Sequence, residues 1–195
     1  MTKTLDYYNN NTAAFVESTQ SVLMTEAWLR FTSKLPKGSV ILDFGCGSGR
    51  DTKYFLEHGY RVEAIDGSEE LCKVASGYTG IKVKNQLFTD LSEMQKYDAV
   101  WACSSILHAS SSDLIVIMKK IWTALKFNGI LYASFKYGNF EGERNGRYFT
   151  DFTDESFSSL LKKSADFDMI EEWITNDVRP GRENEKWLNV ILQKK

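Results

Sequence analysis

Three glycines at alternate positions follow a short apolar run near the start of the chain. The run extends from Val40 to Phe44, and the glycines are Gly45, Gly47 and Gly49. Because glycine has no Cβ, a backbone rich in it can bend sharply and approach a bound molecule closely. The segment is therefore predicted to be a buried strand that leads into a turn suited to a nucleotide-like ligand.

A carboxylate follows at an interval that suits a ribose. Asp66 ends a second apolar segment, Val62 to Ile65, and lies 23 residues after Asp43. In a strand, turn, helix, strand unit this interval places a carboxylate beside the first turn, where it can accept hydrogen bonds from both ribose hydroxyls. The two features together predict a cofactor that contains a ribose.

The spacing of the glycines argues against a dinucleotide. Dinucleotide sites use Gly-x-Gly-x-x-Gly and place the pyrophosphate at a helix N-terminus. Here the pattern is Gly-x-Gly-x-Gly, and Asp43 just before it would repel a phosphate but attract an ammonium group. A nicotinamide-dependent oxidoreductase is thus a disfavoured alternative. The glycine turn alone leaves open the alternative that this is another kind of α/β protein, in which Asp66 is an ordinary turn residue.

The pattern Gly45-x-Gly47-x-Gly49, preceded by Asp43, resembles motif I of the class I S-adenosylmethionine-dependent methyltransferases. The finer pattern, with Arg50 after the glycines and Gly59 before the second strand, looks most like the small bacterial enzymes related to tellurite-resistance methyltransferases. The resemblance extends over almost the whole chain. It implies methyl transfer from S-adenosylmethionine, with S-adenosylhomocysteine as the product, and it places Asp43 near the amino group of the cofactor and Asp66 on its ribose.

The resemblance also implies a full set of cofactor contacts at the ends of the first four strands. Phe88 and Thr89, after the third strand, would contact the adenine, although packing in the core is an equal alternative for Phe88. Ala102 and Cys103, after the fourth strand, would contact the methionine end of the cofactor. The implied residues are Asp43, Gly45, Cys46, Gly47, Gly49, Arg50, Asp66, Gly67, Phe88, Thr89, Ala102 and Cys103.

One histidine is a candidate catalytic base. Methyl transfer from a sulfonium is an in-line displacement, so the protein mainly aligns the two reactants. A soft nucleophile such as a thiolate, a selenide or reduced tellurium needs no base, whereas an amine or hydroxyl must lose a proton. His108 follows the fourth strand and has an ordinary pKa near neutrality. A packed ring or a helix-entry residue is the alternative interpretation of His108.

Four arginines are candidates for an acceptor site. Arg144 and Arg147 lie in a long aromatic loop, and Arg179 and Arg182 lie in the loop before the last strand. Together they are predicted to form a cationic rim for an anionic acceptor. The alternative is that they are solvated arginines that pair with nearby glutamates.

Two tyrosines near the N-terminus are candidates for a lid. Tyr7 and Tyr8 are predicted to close over the cofactor, as N-terminal segments do in related methyltransferases. Packing of a terminal helix is the competing interpretation. In either case residues 1–36 are expected to form an N-terminal helical cap, with helices between Asn11 and Leu35.

Composition excludes several classes of protein. A chain of 195 residues with a net charge of −2 lacks the dense positive surface of a general nucleic-acid binder. Three distant cysteines and two histidines offer no metal-ligand spacing, so a metal-free site is expected. The apolar runs are too short to span a bilayer and no signal peptide is apparent, so we expect a cytoplasmic protein without a membrane partner. A small-molecule acceptor, and a monomer or homodimer, are the expected associations.

Strand and helix patterns alternate along the chain. Strands are predicted at 40–44, 61–65, within 81–88, at 98–102, 130–135, 169–175 and 187–192. Helices are predicted at 50–58, from Ser68, from Ser112 to Asn128-Gly129, and at 153–163, with a charged loop over 136–151. This alternation predicts an α/β fold in which residues 1–195 form a single domain, a three-layer doubly wound Rossmann-like sheet. The resemblance specifies seven strands, mostly parallel, with the last strand antiparallel.

Neither the motif nor the fold decides whether the chain is an enzyme. A displacement driven by alignment needs no fixed catalytic residue, and one fold serves many functions. A non-catalytic S-adenosylmethionine-binding or sensor protein is therefore an open alternative.

Overall fold

Helices and strands alternate along most of the chain, in a computed structural model that describes residues 2–195. Within that range the α-helices are α1 (Thr2–Asn10), α2 (Thr12–Thr19), α3 (Thr25–Thr32), α4 (Arg50–Glu57), α5 (Glu69–Thr79), α6 (Ser111–Ala124) and α7 (Asp154–Ser164). The strands are β1 (Val40–Phe44), β2 (Arg61–Asp66), β3 (Lys84–Asn85), β4 (Tyr97–Ala102), β5 (Leu125–Lys136), β6 (Glu141–Arg144), β7 (Arg147–Thr150), β8 (Phe167–Asn176) and β9 (Lys186–Lys194).

Seven of the described strands form one sheet in the order β3-β2-β1-β4-β5-β9-β8. The first five strands along the chain pair in parallel, and β9 runs antiparallel to both of its neighbours. This arrangement confirms the predicted seven-stranded Rossmann-like sheet with an antiparallel last strand. The strand order reverses between β1 and β4, which is where ligands bind in sheets of this kind.

Both faces of the sheet are covered. One face packs against α6 and α7 around Phe135 and Phe157. The other packs against α3 and α4, where the rings of Trp101 and Tyr132 stack 3.9 Å apart. Burial on two sides explains why β1 and β4 are nearly continuous apolar runs in the sequence.

Several predicted boundaries differ from the structure at α6 and β5. Helix α6 begins after Ser110, which accepts a hydrogen bond from the amide of Asp113, and not at the predicted cap Ser112. It ends at Ala124, and β5 begins at Leu125 rather than at Ile130. The Asn-Gly pair predicted to end the helix instead lies in an irregularity of β5, because the pairing with β4 shifts there and Asn128 adopts a φ of 60°.

The predicted loop over 136–151 is also corrected. It contains a two-stranded hairpin, β6 and β7, joined at Asn145-Gly146. Both turn residues have positive φ, 53° and 77°, which is the backbone that Asn-Gly favours in tight hairpins.

The helices predicted between Asn11 and Leu35 are α2 and α3, and a further helix that was not predicted, α1, precedes them. The third strand is only two residues long and is followed by a 3₁₀ turn, Phe88–Asp90. Among residues 2–195, no helix is both long and apolar enough to cross a bilayer.

Candidate functional site

A cavity of about 200 Å³ opens at the carboxyl ends of β1, β2 and β4. The glycine turn and the residues that follow β2, β3 and β4 form one side of it. Helices α1 and α2, strand β7 and the loop between β8 and β9 form the other. The position matches the point where the strand order reverses, so the topology alone places the pocket there.

The glycine turn presents bare backbone to the pocket. The amides of Gly45 and Cys46 both donate to the carbonyl oxygen of Ile65, at 2.9 and 3.0 Å, which ties the turn to the end of β2. Gly45 has a φ of +90°, and a Cβ there would lie 2.5 Å from the Cβ of Ser105. A Cβ on Gly47 would lie 3.1 Å from the ring of Phe15 on α2. Glycine is therefore required by both conformation and close packing.

Asp66 lies at the end of β2 with each carboxylate oxygen held by one backbone amide. Gly47 N donates to Oδ2 at 2.9 Å and Ser68 N donates to Oδ1 at 2.8 Å. Burial raises the pKa of Asp66, and these amide donors oppose that rise. Each oxygen keeps a further lone pair, so the carboxylate is fixed in place and can accept two more hydrogen bonds from a ligand in the cavity.

Asp43 does not line the cavity. Its carboxylate is buried behind the turn and accepts a 2.5 Å hydrogen bond from Thr52 Oγ1 on α4. Burial, with the nearby charge of Asp51, raises the pKa of Asp43 to about 8. The structure therefore places Asp43 as a support of the α4 N-terminus, away from the predicted position near a ligand's amino group.

A buried cluster beside the turn was not predicted. Each oxygen of Asp51 accepts one guanidinium N–H from Arg50, at 2.8 Å, and one indole N–H, from Trp28 at 2.9 Å and Trp101 at 2.8 Å. Burial opposes ionisation of Asp51, but Arg50 and the indoles outweigh it and lower the pKa of Asp51. The cluster fixes Arg50 at the cavity wall, where its Nη2 lies 3.7 Å from Cys103 Sγ.

The remaining predicted cofactor residues divide into two groups. Cys46, Gly67, Phe88 and Cys103 line the cavity, whereas Gly49, Thr89 and Ala102 do not. Gly49 faces α5, since a Cβ there would lie 2.9 Å from Thr79 Cγ2. Phe88 both lines the cavity and packs against Phe44, with ring centres 4.8 Å apart. Burial raises the pKa of Cys103 to about 12, so that thiol is not an ionised nucleophile.

His108 and Tyr8 meet at the cavity wall. Tyr8 Oη lies 2.8 Å from His108 Nε2, and His108 Nδ1 lies 2.6 Å from the carbonyl oxygen of Tyr148. Burial lowers the pKa of His108 to about 4, and the charge of Arg147 acts in the same direction. Tyr7 lies outside the cavity lining, with its ring 4.5 Å from the Arg147 guanidinium.

The four predicted arginines do not form one uniform rim. Arg144 turns away and pairs with Asp151, at 2.9 Å. Arg179 lines the cavity but is bound by both oxygens of Asp177, and Arg182 lies 3.8 Å from Glu185. Arg147 lines the cavity, its Nε is buried without a hydrogen-bond partner, and among residues 3–195 no carboxylate lies within 4.0 Å of it.

Lys136 is a further cation in the cavity lining, and it was not predicted from the sequence. Lys136 Nζ lies 3.5 Å from Asp177 Oδ2 and also contacts Glu185. Burial lowers the pKa of Lys136 to about 8, although Asp177 opposes the shift. The β8–β9 side of the cavity is thus a network of paired charges, with Asp177 at its centre.

Helices α1 and α2 cover the cavity. Leu5 lies against Gly67, since a Cβ on that glycine would be 2.7 Å from Leu5 Cδ2. Ser68 Oγ donates to Asn9 Oδ1 at 2.7 Å, which joins α1 to the start of α5. Phe15 covers the glycine turn from α2. The N-terminal helices therefore lie over the glycine turn. Within residues 3–195 no cluster of His, Cys, Asp and Glu side chains could hold a metal ion.

The chain is similar to known methyltransferases. Residues 41–129 match a family model described as "Methyltransferase domain". The Bacillus subtilis protein "Putative methyltransferase YqeM" is 29% identical over 123 residues, which is 57% of this chain and 50% of that protein. The chain thus spans half the length of that relative.

Solved structures share the fold over most of the chain. A Burkholderia thailandensis 1,6-didemethyltoxoflavin-N1-methyltransferase, with 1,6-didemethyltoxoflavin and S-adenosylhomocysteine bound, superposes with a TM-score of 0.81 and 20% identity, covering 100% of this chain and 88% of that one. TehB from Haemophilus influenzae gives a TM-score of 0.73 and 15% identity, covering 95% and 67%. At these identities the likeness is one of fold. Together with the domain match, it confirms the resemblance to class I methyltransferases that the glycine turn predicted.

Proposed function

Given the methyltransferase domain over residues 41–129, we propose that this chain binds S-adenosylmethionine in the cavity and transfers its methyl group to a small-molecule acceptor, releasing S-adenosylhomocysteine. The observation that carries the proposal is the Asp66 carboxylate, held by the amides of Gly47 and Ser68 with lone pairs left for a ligand. That arrangement suits the two hydroxyls of a ribose.

The rest of the cavity fits the two ends of the cofactor. Leu87 and Phe88 offer an apolar surface next to Asp66, suited to the adenine. The bare backbone of the glycine turn and Arg50, fixed by Asp51, suit the amino-acid end.

Bound S-adenosylmethionine supplies an electrophilic methyl group, so the chemistry resides in the cofactor and the protein aligns the acceptor. Leu5, Tyr8 and Phe15 line the cavity on the side of the N-terminal helices and shield part of it from solvent. Shielding of this kind strengthens the polar contacts that orient both reactants.

Charge in the cavity favours an anionic acceptor. Arg50 and Arg179 are each neutralised by a carboxylate, but Arg147 has no such partner among residues 3–195. Its guanidinium lies 4.5 Å from the ring centre of Tyr7 and 5.1 Å from that of Phe149. An unpaired guanidinium between aromatic rings is weakly hydrated, and it can bind a carboxylate or a phosphate with two parallel hydrogen bonds.

Calorimetric titration with S-adenosylmethionine, S-adenosylhomocysteine and NAD tests the proposal. We expect saturable binding of the two sulfur nucleotides and none of NAD. Asp66→Ala should abolish that binding, whereas Asp168→Ala, at an exposed position on β8, should not. A folded protein that binds neither sulfur nucleotide would refute the proposal.

The proposal extends to the chain as a whole. Residues 1–195 act as a single domain in which the described residues 2–36 form the cap over the cofactor, and Met1 lies outside the described residues. Monomer or homodimer, cytoplasmic location and the absence of a nucleic-acid or membrane partner stay predictions from the sequence.

A further inference from the structure

The hydrogen bonds of His108 determine which of its nitrogens carries the proton. Its Nδ1 lies 2.6 Å from the carbonyl oxygen of Tyr148. A carbonyl oxygen can only accept, so Nδ1 must carry a hydrogen and donate it. The ring is neutral near pH 7, because burial lowers its pKa to about 4. His108 Nε2 is therefore an unprotonated acceptor.

This protonation state of His108 determines the direction of the Tyr8 hydrogen bond. Tyr8 Oη lies 2.8 Å from His108 Nε2, and since Nε2 has no hydrogen, Tyr8 must donate its own. The oxygen of Tyr8 then has only lone pairs to offer. Arg147 Nη1, at 3.5 Å, is oriented as a donor to the same oxygen. A ligand that contacts Tyr8 Oη from the cavity must therefore bring a hydrogen-bond donor.

From the direction of these hydrogen bonds we infer that the acceptor nucleophile is a nitrogen or oxygen that carries a hydrogen. Tyr8 is then the catalytic residue that receives this proton while it passes its own proton to His108. The inference rests on the proposed methyl transfer and names the chemical class of its acceptor. A thiolate or selenide has no proton to give to Tyr8 Oη, and the hydrogen of that hydroxyl is already donated to His108 Nε2.

The atoms of the step balance. The acceptor X–H loses its proton to Tyr8 Oη as the Tyr8 proton moves to His108 Nε2, which leaves an imidazolium. The electron pair of X forms the bond to the methyl carbon, and the carbon–sulfur bond breaks with its electrons left on sulfur. The carbonyl oxygen of Tyr148 holds the imidazolium through Nδ1.

Tyr8 and His108 come from distant parts of the chain and meet at the cavity wall. Tyr8 comes from α1 and His108 from the 3₁₀ turn after β4, 100 residues later, and both line the cavity. A buried histidine used only for packing would not require a tyrosine from a separate helix, with its hydroxyl at the cavity wall.

Nitrogen-15 NMR of histidine-labelled protein tests the hydrogen-bond order without any acceptor. The chain has two histidines, so His58→Gln assigns the signals. Between pH 6 and 8 we expect His108 to be neutral and protonated on Nδ1, with an Nε2 signal that shifts in Tyr8→Phe. A protonated Nε2 on His108, or an imidazolium at pH 7, would overturn the inference.

Methyl transfer to matched probes tests the chemical step. The probes are 4-hydroxybenzoate, 4-aminobenzoate and 4-mercaptobenzoate, and the readout is S-adenosylhomocysteine formed. We expect methylation of the oxygen or nitrogen probe, a kcat lowered about 100-fold in Tyr8→Phe, as for loss of a general base, and an unchanged dissociation constant for S-adenosylmethionine. Tyr78→Phe, at an exposed tyrosine of α5 that does not line the cavity, is the control.

The outcomes separate the two proposals. Methylation of the thiol alone, or full activity of Tyr8→Phe, overturns the inference and leaves the methyltransferase intact. No methylation of any probe by a protein that binds S-adenosylmethionine counts against the proposed transfer itself, and the histidine spectrum then decides the hydrogen-bond order on its own.

Discussion

Asp51→Asn should be among the most destabilising single-atom changes in the protein. Each oxygen of Asp51 accepts two hydrogen bonds, one from Arg50 and one from the indole of Trp28 or Trp101. Replacing one oxygen by NH₂ turns that side of the group from an acceptor into a donor that faces two donors. It also leaves the buried guanidinium of Arg50 without its counter-charge.

The magnitude follows from the burial of the pair. Side-chain exposure is 16% for Arg50 and 8% for Asp51, so solvent compensates little for the lost charge. Removing one partner of a buried ion pair costs about 3–5 kcal/mol. For a chain of this length that corresponds to a fall in Tm of roughly 10 °C. The loss is comparable to much of the stability of an ordinary domain.

Urea unfolding followed by far-ultraviolet circular dichroism at pH 7 measures the effect, since the two tryptophans involved would bias a fluorescence signal. Asp6→Asn, at an exposed position of α1, is the control and should unfold like the wild type. Arg50→Gln combined with Asp51→Asn should recover part of the loss, because it removes the unpaired charge. A loss below about 1 kcal/mol, the size of one neutral hydrogen bond, would refute the reasoning.

Three further predictions concern the cavity. Arg147→Met should raise the KM of a carboxylate-bearing acceptor at least about 10-fold in steady-state assays, since a hydrogen bond to a charged group is worth about 1.5–3 kcal/mol, without changing S-adenosylhomocysteine affinity. Gly45→Ala should abolish calorimetric cofactor binding because its Cβ meets Ser105, whereas Gly59→Ala, with a similar φ but open space around it, should only lose stability. Burial lowers the pKa of His108 from 6.5 to about 4, so the stability that neutral His108 contributes above pH 6.5 is lost as the pH falls towards 4. Between these two pH values, the free energy of unfolding in urea should fall by about 3 kcal/mol less in His108→Gln than in the wild type.

The sheet and the glycine turn were predictable because their signals are local. Burial on two sides makes β1 and β4 nearly continuous apolar runs, the glycines follow β1 directly, and Asp66 ends β2. Parallel strands bring these ends to one edge of the sheet, whatever the details of packing.

The direction of the Asp43 side chain could not be predicted from its neighbours in the sequence. A carboxylate before the glycine turn was predicted to face the ligand, but its place in a strand buried on both faces directs it to Thr52. The Asp51 cluster could not be predicted for a different reason. Its partners Trp28 and Trp101 lie 23 and 50 residues away, and only the tertiary fold brings them together.

The hairpin of β6 and β7 had a signal that the prediction did not use. Asn145-Gly146 is the preferred sequence of a two-residue hairpin turn, and aromatic residues flank it. Recognising the hairpin would have placed Arg144 directly opposite Arg147, with both side chains on one face of it. Their different roles come from tertiary contacts that the sequence does not show: Arg144 pairs with Asp151, and Arg147 lines the cavity.

The two sides of the cavity depend on different parts of the chain. The side that we propose for the cofactor is formed by strand ends of the central sheet, which are deeply buried. The side that we propose for the acceptor requires α1 to meet the β6–β7 hairpin. It does so through Thr4 Oγ1, 3.0 Å from the amide of Tyr148, and through Lys3, 3.0 Å from Glu143. The same contacts bring Tyr8 to His108 and Arg147. Because few and partly exposed contacts hold that junction, substitutions there should alter acceptor selection while the cofactor site keeps its geometry.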